Sequence, residues 1–255
     1  IGTDTFAFID DQPSEREEVK FVLPEVMTID AAEYKDLLHM ERLTPRFITE
    51  DSRMRRKMYQ ADLERKTAES SFKGSSEEFL ATLGMELTVA PVEKGDLERV
   101  EELTIRTNQL NSTGLTYSYE ELESYITSKD HIFLIAELKD KFGPYGKIGL
   151  VLLEEKKDEL RIKLLLMSCR VMTRGIGSAL LVYVIKLAAQ KGKRLVADFI
   201  DTGRNRVMYI TYKLMGFEET GPDESPGENG MIELEYRGSG EKEYPSYLKF
   251  ILKSS

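Results

Sequence analysis

Apolar residues Ile176, Ala179, Leu180, Tyr183, Val184, Leu187 and Ala188 recur at i, i+3, i+4 and i+7, and this spacing predicts an amphipathic helix that Gly192 ends. Around it the period changes to that of strands. β-rich runs at 86–92, 132–138, 148–154, 160–171, 194–200, 232–237 and 247–252 alternate with further helical stretches. One helix is expected over 96–108, one from the capping box Ser118-Tyr-Glu-Glu121 to about 129, and one from 205 to 215, stopped by Gly216. Gly143-Pro-Tyr-Gly146 and Lys156-Lys-Asp158 read as turns between antiparallel strands, and 224–230 as a flexible loop. The order β-α-α-β-β-β-α-β-α-β implies one mixed sheet with helices on its faces.

Ahead of residue 85 the pattern differs. Residues 5–9 form a short apolar run that stops at Asp10-Asp11, and Ser14 after Pro13 is placed to cap a helix rich in early glutamates. Strand, acidic turn and helix are half of a parallel α/β unit, and a lone parallel strand needs neighbours. Asp30 resembles an N-cap, Thr49 can open a long charged helix reaching about 72, and Ser75-Ser-Glu-Glu78 is a capping box for a helix ended by Gly84. We therefore expect three parts: 1–29, a helical linker over 30–84 that acts as a solvated spacer, and a main domain over 85–255. Since Ile1 is not an initiator methionine, the chain is expected to begin inside a larger polypeptide.

Composition narrows the function classes. Lys and Arg total 36 against 45 Asp and Glu, a net charge of -9 in 255 residues, which argues against a broad nucleic-acid or anionic-membrane surface. No apolar run approaches the roughly 20 residues of a membrane span, and the start lacks a signal-peptide pattern. One cysteine and two histidines give neither a disulfide framework nor metal-ligand spacing, so His39 and His131 read as structural. A cytoplasmic protein is expected.

The chemistry concentrates at 164–177, where a strand runs through Met172-Thr-Arg-Gly-Ile-Gly177 into the predicted helix. Glycine lets backbone N–H groups approach a ligand, and a helix N-terminus favours a phosphate or pyrophosphate. With this element order, the segment resembles the Q/R-x-x-G-x-G/A pyrophosphate loop of the GNAT acyltransferase superfamily, matching at Arg174, Gly175 and Gly177 and departing at Met172. Asn205 through Tyr212-Lys-Leu-Met-Gly-Phe217 is similar to the superfamily's late N…Y-x-x-x-G-F segment. The resemblance implies binding of coenzyme A or a phosphopantetheine arm at Met172, Thr173, Arg174, Gly175, Ile176, Gly177 and Asn205, with Tyr212 protonating a departing thiolate. A half-buried packing tyrosine is the other reading of Tyr212.

A narrower resemblance spans nearly the whole chain. Phe8-Ile-Asp-Asp-Gln-Pro-Ser-Glu-Arg16 looks like the late acidic motif of a haloacid-dehalogenase-like (HAD) phosphatase domain, and Arg106-Thr-Asn-Gln-Leu-Asn111 and Ser168-Cys-Arg-Val171 look like segments of FkbH-like proteins. That family joins a HAD-like to a GNAT-like domain and is associated with loading a glyceryl unit as a thioester onto an acyl carrier protein for polyketide-type biosynthesis. The implied fold is a GNAT-like mixed α/β sheet with flanking helices, preceded by a helical linker and the C-terminal remnant of a HAD-like Rossmannoid domain. Asp10 and Asp11 would be magnesium-side carboxylates only in a complete HAD domain. The D-x-D nucleophile motif does not precede Asp10, so no phosphatase activity is expected from this chain.

Cys169 is the lone cysteine, expected where the fourth GNAT strand splays, and reads either as a transient acyl acceptor or as a small core residue. Arg170 can lower its pKa only weakly, since adjacent strand residues face opposite ways. No carboxylate lies between 164 and 171, which favours thiol over amine chemistry, with Glu154 and Glu155 left to act through water. Asn108, Gln109 and Asn111 offer amides to a polyol or pantetheine, or simply cap a helix. Arg53-Met-Arg-Arg-Lys57 is a solvated helix face or a docking face for an acidic carrier protein. The expected function is acyl transfer from a small acyl thioester to an acyl carrier protein. The alternatives are a CoA-dependent N-acetyltransferase of a small amine and a non-catalytic carrier-protein docking module.

Overall fold

A computed structural model of the chain describes residues 3, 6–44, 47–220 and 230–253. The loop expected at 224–230 lies, apart from Gly230, outside the described residues, as does the start of the strand expected at 5–9. The chain divides into two compact units, Ile1–Ile48 and Thr49–Ser255.

In the first unit, strand β1 (Ala7–Asp10) and strand β2 (Met27–Asp30) pair in parallel across helix α1 (Pro13–Val22). Thus β1 has a neighbour, supplied by a strand that the sequence pattern did not reveal. Helix α1 begins on Pro13 rather than being capped by Ser14, because a proline at the first turn loses no useful N–H. Asp30 is the expected cap, accepting the N–H of Ala32 at 2.9 Å ahead of the 3-10 turns of Ala31–His39.

The second unit opens with helices α2 (Glu50–Ser71) and α3 (Ser76–Ala81), the latter held by the Ser75–Glu78 capping box. Strand β3 (Met85–Pro91), helices α4 (Leu97–Arg106) and α5 (Tyr119–Thr127), and strands β4 (His131–Asp140), β5 (Gly143–Glu155) and β6 (Glu159–Met167) follow. Helix α6 (Ile176–Lys191), strand β7 (Arg194–Ile200), helix α7 (Arg206–Met215) and strands β8 (Phe217–Glu219), β9 (Met231–Tyr236) and β10 (Leu248–Leu252) complete it. The sheet order is β10-β3-β4-β5-β6-β7-β9-β8, mixed as expected. Gly143–Gly146 belongs to β5 and is not a turn. Asp140 makes the reversal one step earlier, its Oδ1 accepting from the N–H groups of Phe142 and Gly143.

Strand alternation splits the core between the two faces. Ile162, Leu165 and Met167 of β6 pack with α6, Met208 and Tyr212, whereas Leu164 and Leu166 face Leu97, Val100, Leu103 and Leu122 of α4 and α5. Helix α2 is no solvated spacer. Arg65 is buried and forks onto Asp140 at 2.8 and 2.9 Å, and Asp51 pairs with Arg99 at 3.0 Å while accepting the Lys147 N–H. The boundary therefore falls at 48/49, inside the segment expected as linker.

Candidate functional site

Strands β6 and β7 pair only from Glu159↔Arg194 to Ile162↔Ala197. Beyond that they part, and the chain's own segment after α4 fills the gap. The Ser112 N–H donates to the Leu165 carbonyl at 2.9 Å, the Leu165 N–H to Ser112 Oγ at 3.0 Å, and the Met167 N–H to the Leu110 carbonyl at 2.8 Å. On the other side the Ile200 N–H donates to the Ser112 carbonyl at 3.1 Å. Leu110, Asn111, Ser112 and Thr113 are all buried in consequence.

Past this wedge a small cleft of about 60 Å³ opens where β6 ends and α6 begins, lined by Leu110, Met167, Met172, Gly175, Gly177, Ser178, Val207 and Thr211. Gly175 takes the left-handed conformation, φ 73°, that turns the chain into α6, and no side chain caps the helix. First-turn N–H groups of an uncapped helix have no intrahelical acceptor, and Gly177 and Ser178 bring that turn to the cleft wall. A side chain at Gly175 would overlap the Tyr247 hydroxyl, and one at Gly177 would press on Met167 Cε at 2.9 Å.

The residues expected to bind cofactor therefore separate. Met172, Gly175 and Gly177 line the cleft, and Thr173 is exposed beside it. Arg174 turns away to pair with Glu69 at 3.1 Å over the Phe79 ring, leaving Nε and Nη1 buried and without hydrogen-bond partners among the described residues, and Ile176 is core. Asn205 is buried and clamps the wedge. Its Nδ2 donates to the carbonyls of Asn111 at 2.9 Å and Ile200 at 2.8 Å, and its Oδ1 accepts the Thr202 N–H. Asn111 spends its own amide locally, accepting from Thr113 and Gly114 and donating to Leu115. Asn108 and Gln109 are exposed.

Tyr212 is fully buried against Phe217. Its hydroxyl has no hydrogen-bond partner of ordinary geometry among the described residues, although Ser112 lies near enough to draw its pKa down. Burial outweighs that neighbour and pushes the phenol well above the ordinary tyrosine range. Cys169 is not in the strand or the splay. It is exposed on the 3-10 turn Cys169–Val171 beyond β6, so the core reading of this thiol is corrected. Arg170 reaches the other way, donating to the Tyr145 carbonyl at 2.8 Å and touching Met58 Sδ, and burial lowers its pKa. Glu154 and Glu155 sit opposite Arg161 and Leu160, at the far end of β6 from the cleft, where Lys156, Lys191 and Lys193 engage them. They are not placed to act as a base at the cleft.

In the first unit, Asp10 and Asp30 end adjacent strands. Asp10 accepts the Gln12 N–H and Arg16 holds Asp30 at 2.7 Å. Among the described residues no group of three or more metal-ligating side chains gathers. No helix among the described residues is long and apolar enough to cross a membrane.

No family model matches the chain, and no curated protein matches it. Solved structures with some likeness include a domain from Methanocaldococcus jannaschii, at 17% identity over 59% of this chain and 97% of that one, TM-score 0.48. Another is the ribosomal-protein-S18-alanine N-acetyltransferase of Escherichia coli, at 17% identity over 62% and 99%, TM-score 0.45. A third is an N-acetyltransferase of Thermoplasma acidophilum in complex with coenzyme A, at 21% identity over 58% and 97%, TM-score 0.43.

Proposed function

We propose that residues 49–255 form a GNAT-like acyltransferase domain whose donor is a pantetheine thioester, carried by coenzyme A or by a carrier protein. The observation behind this reading is the cleft at the end of β6, where Leu110, Met167, Met172 and Val207 supply apolar walls, Ser178 and Thr211 supply hydroxyls, and α6 presents its uncapped first turn. A slender arm with an apolar stem, amides and a terminal thiol suits that lining. The wedge occupies the free edge of β6 at Leu165 and Met167, so the arm's amides pair with the α6 turn and the two hydroxyls instead. In acyl transfer a nucleophile adds to the thioester carbonyl, the C–S bond breaks, and the leaving thiolate takes a proton. Tyr212 is the candidate acid in this reading, and since it and Ser112 are fully buried and neither lines the cleft, the role requires a state that opens its hydroxyl to the sulfur.

Two acceptors are kept. Loading of a glyceryl or similar acyl unit onto an acyl carrier protein, as in FkbH-like proteins, is supported by the resemblance of 8–16, 106–111 and 168–171, by an exposed Cys169 thiol between the lining residues Met167 and Met172 in the chain, and by a lining with no carboxylate or imidazole to deprotonate an amine. N-acetyl transfer to a small amine is the second reading; two of the solved structures above are named N-acetyltransferases, one of them of a ribosomal-protein alanine.

Intact mass and turnover with acetyl-CoA and with a glyceryl-pantetheine thioester test both. An adduct on wild type that Cys169→Ala abolishes supports the thiol route, and steady turnover with an amine panel supports N-acetylation. Failure of both thioesters to bind, or binding untouched when Thr211→Trp fills the cleft, would overturn the donor site. If Cys169→Ala and Tyr212→Phe leave loading by the intact protein unchanged, a non-catalytic docking module remains.

A further inference from the structure

Helix α7 keeps one long face uncovered among the described residues. Arg206, Val207, Ile210, Lys213 and Leu214 are exposed, Leu214 at 78%, while Met208 and Tyr212 are buried beneath. At about 100° per residue, Arg206 and Lys213 run along one edge of that face, Ile210 and Leu214 along its middle, and Val207 with Thr211 along the other. The last edge is the wall of the cleft. In a chain of net charge -9 this helix carries no carboxylate, and Arg204, Arg206 and Lys213 form no ion pair among the described residues. An apolar stripe bordered by cations that form no ion pair among the described residues is complementary to a helix that sets apolar side chains beside carboxylates.

We propose that this face of α7 docks an acidic helix of a carrier-type protein, so that the arm borne by that partner enters the cleft across the Val207–Thr211 edge. The proposal rests on the pantetheine reading for what the arm does, and on α7 alone for where the partner binds. Carboxylates of the partner lie over Arg206 and Lys213, its apolar residues cover Ile210 and Leu214, and Arg204 extends the cationic edge toward the start of the helix. The basic run Arg53–Lys57 is not needed for this contact. Arg55 of that run is already engaged by Glu102 at 2.9 Å.

The test separates docking from the cleft by using an apo acyl carrier protein, which has the acidic helix but no arm. Calorimetry should show salt-sensitive binding of the apo carrier to the whole chain. Arg206→Glu with Lys213→Glu should weaken it about tenfold or more, and Leu214→Ser should weaken it as well. Coenzyme A binding by the same variants should not change, because none of these side chains lines the cleft. Circular dichroism checks that the exposed substitutions leave the fold intact. No apo-carrier binding, binding equal in the variants, or capture by anionic lipid vesicles in place of the carrier would each overturn the proposal. Loss of coenzyme A binding by wild type with docking preserved would instead remove the cleft reading and leave the α7 surface standing.

Discussion

Asn205 Nδ2 lies 2.9 Å from the carbonyl of Asn111, tying the start of α7 to a segment that replaces sheet pairing between β6 and β7. The same nitrogen serves the Ile200 carbonyl, and both asparagines are fully buried. Asn205→Ala should therefore cost about 1–3 kcal/mol, the usual penalty for stranding buried polar groups. Urea unfolding checks this. A midpoint equal to wild type would mean that the wedge holds itself.

Tyr212→Phe removes a buried hydroxyl that has no ordinary hydrogen bond, so stability should stay within about 1 kcal/mol of wild type or rise. If the tyrosine is the acid, thioester turnover falls roughly 10²–10⁴-fold with donor binding intact. Steady-state kinetics beside a melting curve separates the two effects. Burial also raises the phenols of Tyr117, Tyr145 and Tyr212, so the folded state holds their protons longer than the unfolded chain. Stability should be unaffected by them below about pH 10 and fall above it. Absorbance at alkaline pH should show these phenols ionising together with unfolding, after the exposed ones.

Glu86 on β3 takes hydrogen bonds from Lys139 of β4 and Lys249 of β10, which lower its pKa from 4.5 to about 2. A depressed carboxylate adds stability above its unfolded pKa and loses it as pH falls through the folded one. Glu86→Gln should lower the denaturation midpoint slightly at neutral pH, and the gap should close between pH 4.5 and 2. Added salt should shrink it too. A gap constant with pH would deny the ion pairs any part in it.

Gly175→Ala meets both a left-handed backbone, φ 73°, and the Tyr247 hydroxyl. A loss of about 1–3 kcal/mol is expected. Tyr247→Phe removes the overlapping oxygen and should restore part of it in the double variant. Additive losses would place the whole cost in the backbone.

Cys169 is exposed, so a thiol reagent should modify the folded protein as fast as it modifies the unfolded chain, and Cys169→Ala should leave stability within about 0.5 kcal/mol. Slow modification of native protein would show the thiol covered in solution.

Legibility in the sequence followed the range of the interactions involved. Helix α6 is set by its own period and Gly192, and α3 and α5 by the Ser75 and Ser118 boxes, all within a few residues. The cleft glycines were legible for the same reason, since a turn into a helix is local chemistry. Helix α2 was legible as a helix from its Thr49 cap, but its place in the domain was not, because charge surrounds it and its anchors, Asp140 and Arg99, lie tens of residues away. Nor was the wedge. Asn111-Ser112-Thr113 has the polarity of a cap or turn, and only the parting of β6 and β7 turns it into sheet. The Arg174–Glu69 pair was not legible either, because a loop motif records spacing and not the direction in which a long side chain leaves the backbone.

The Arg65–Asp140 fork decides where this protein can be cut. A fragment begun at residue 85, the boundary that strand periodicity suggests, would discard the cation that covers and neutralises Asp140, and with it the core residues Phe79, Leu80 and Leu83. Losing core side chains of that size costs about 2–5 kcal/mol each, a large share of a domain's net stability. The smallest autonomous piece therefore starts at residue 49, and what looks in sequence like a tether is the first structural element of the domain.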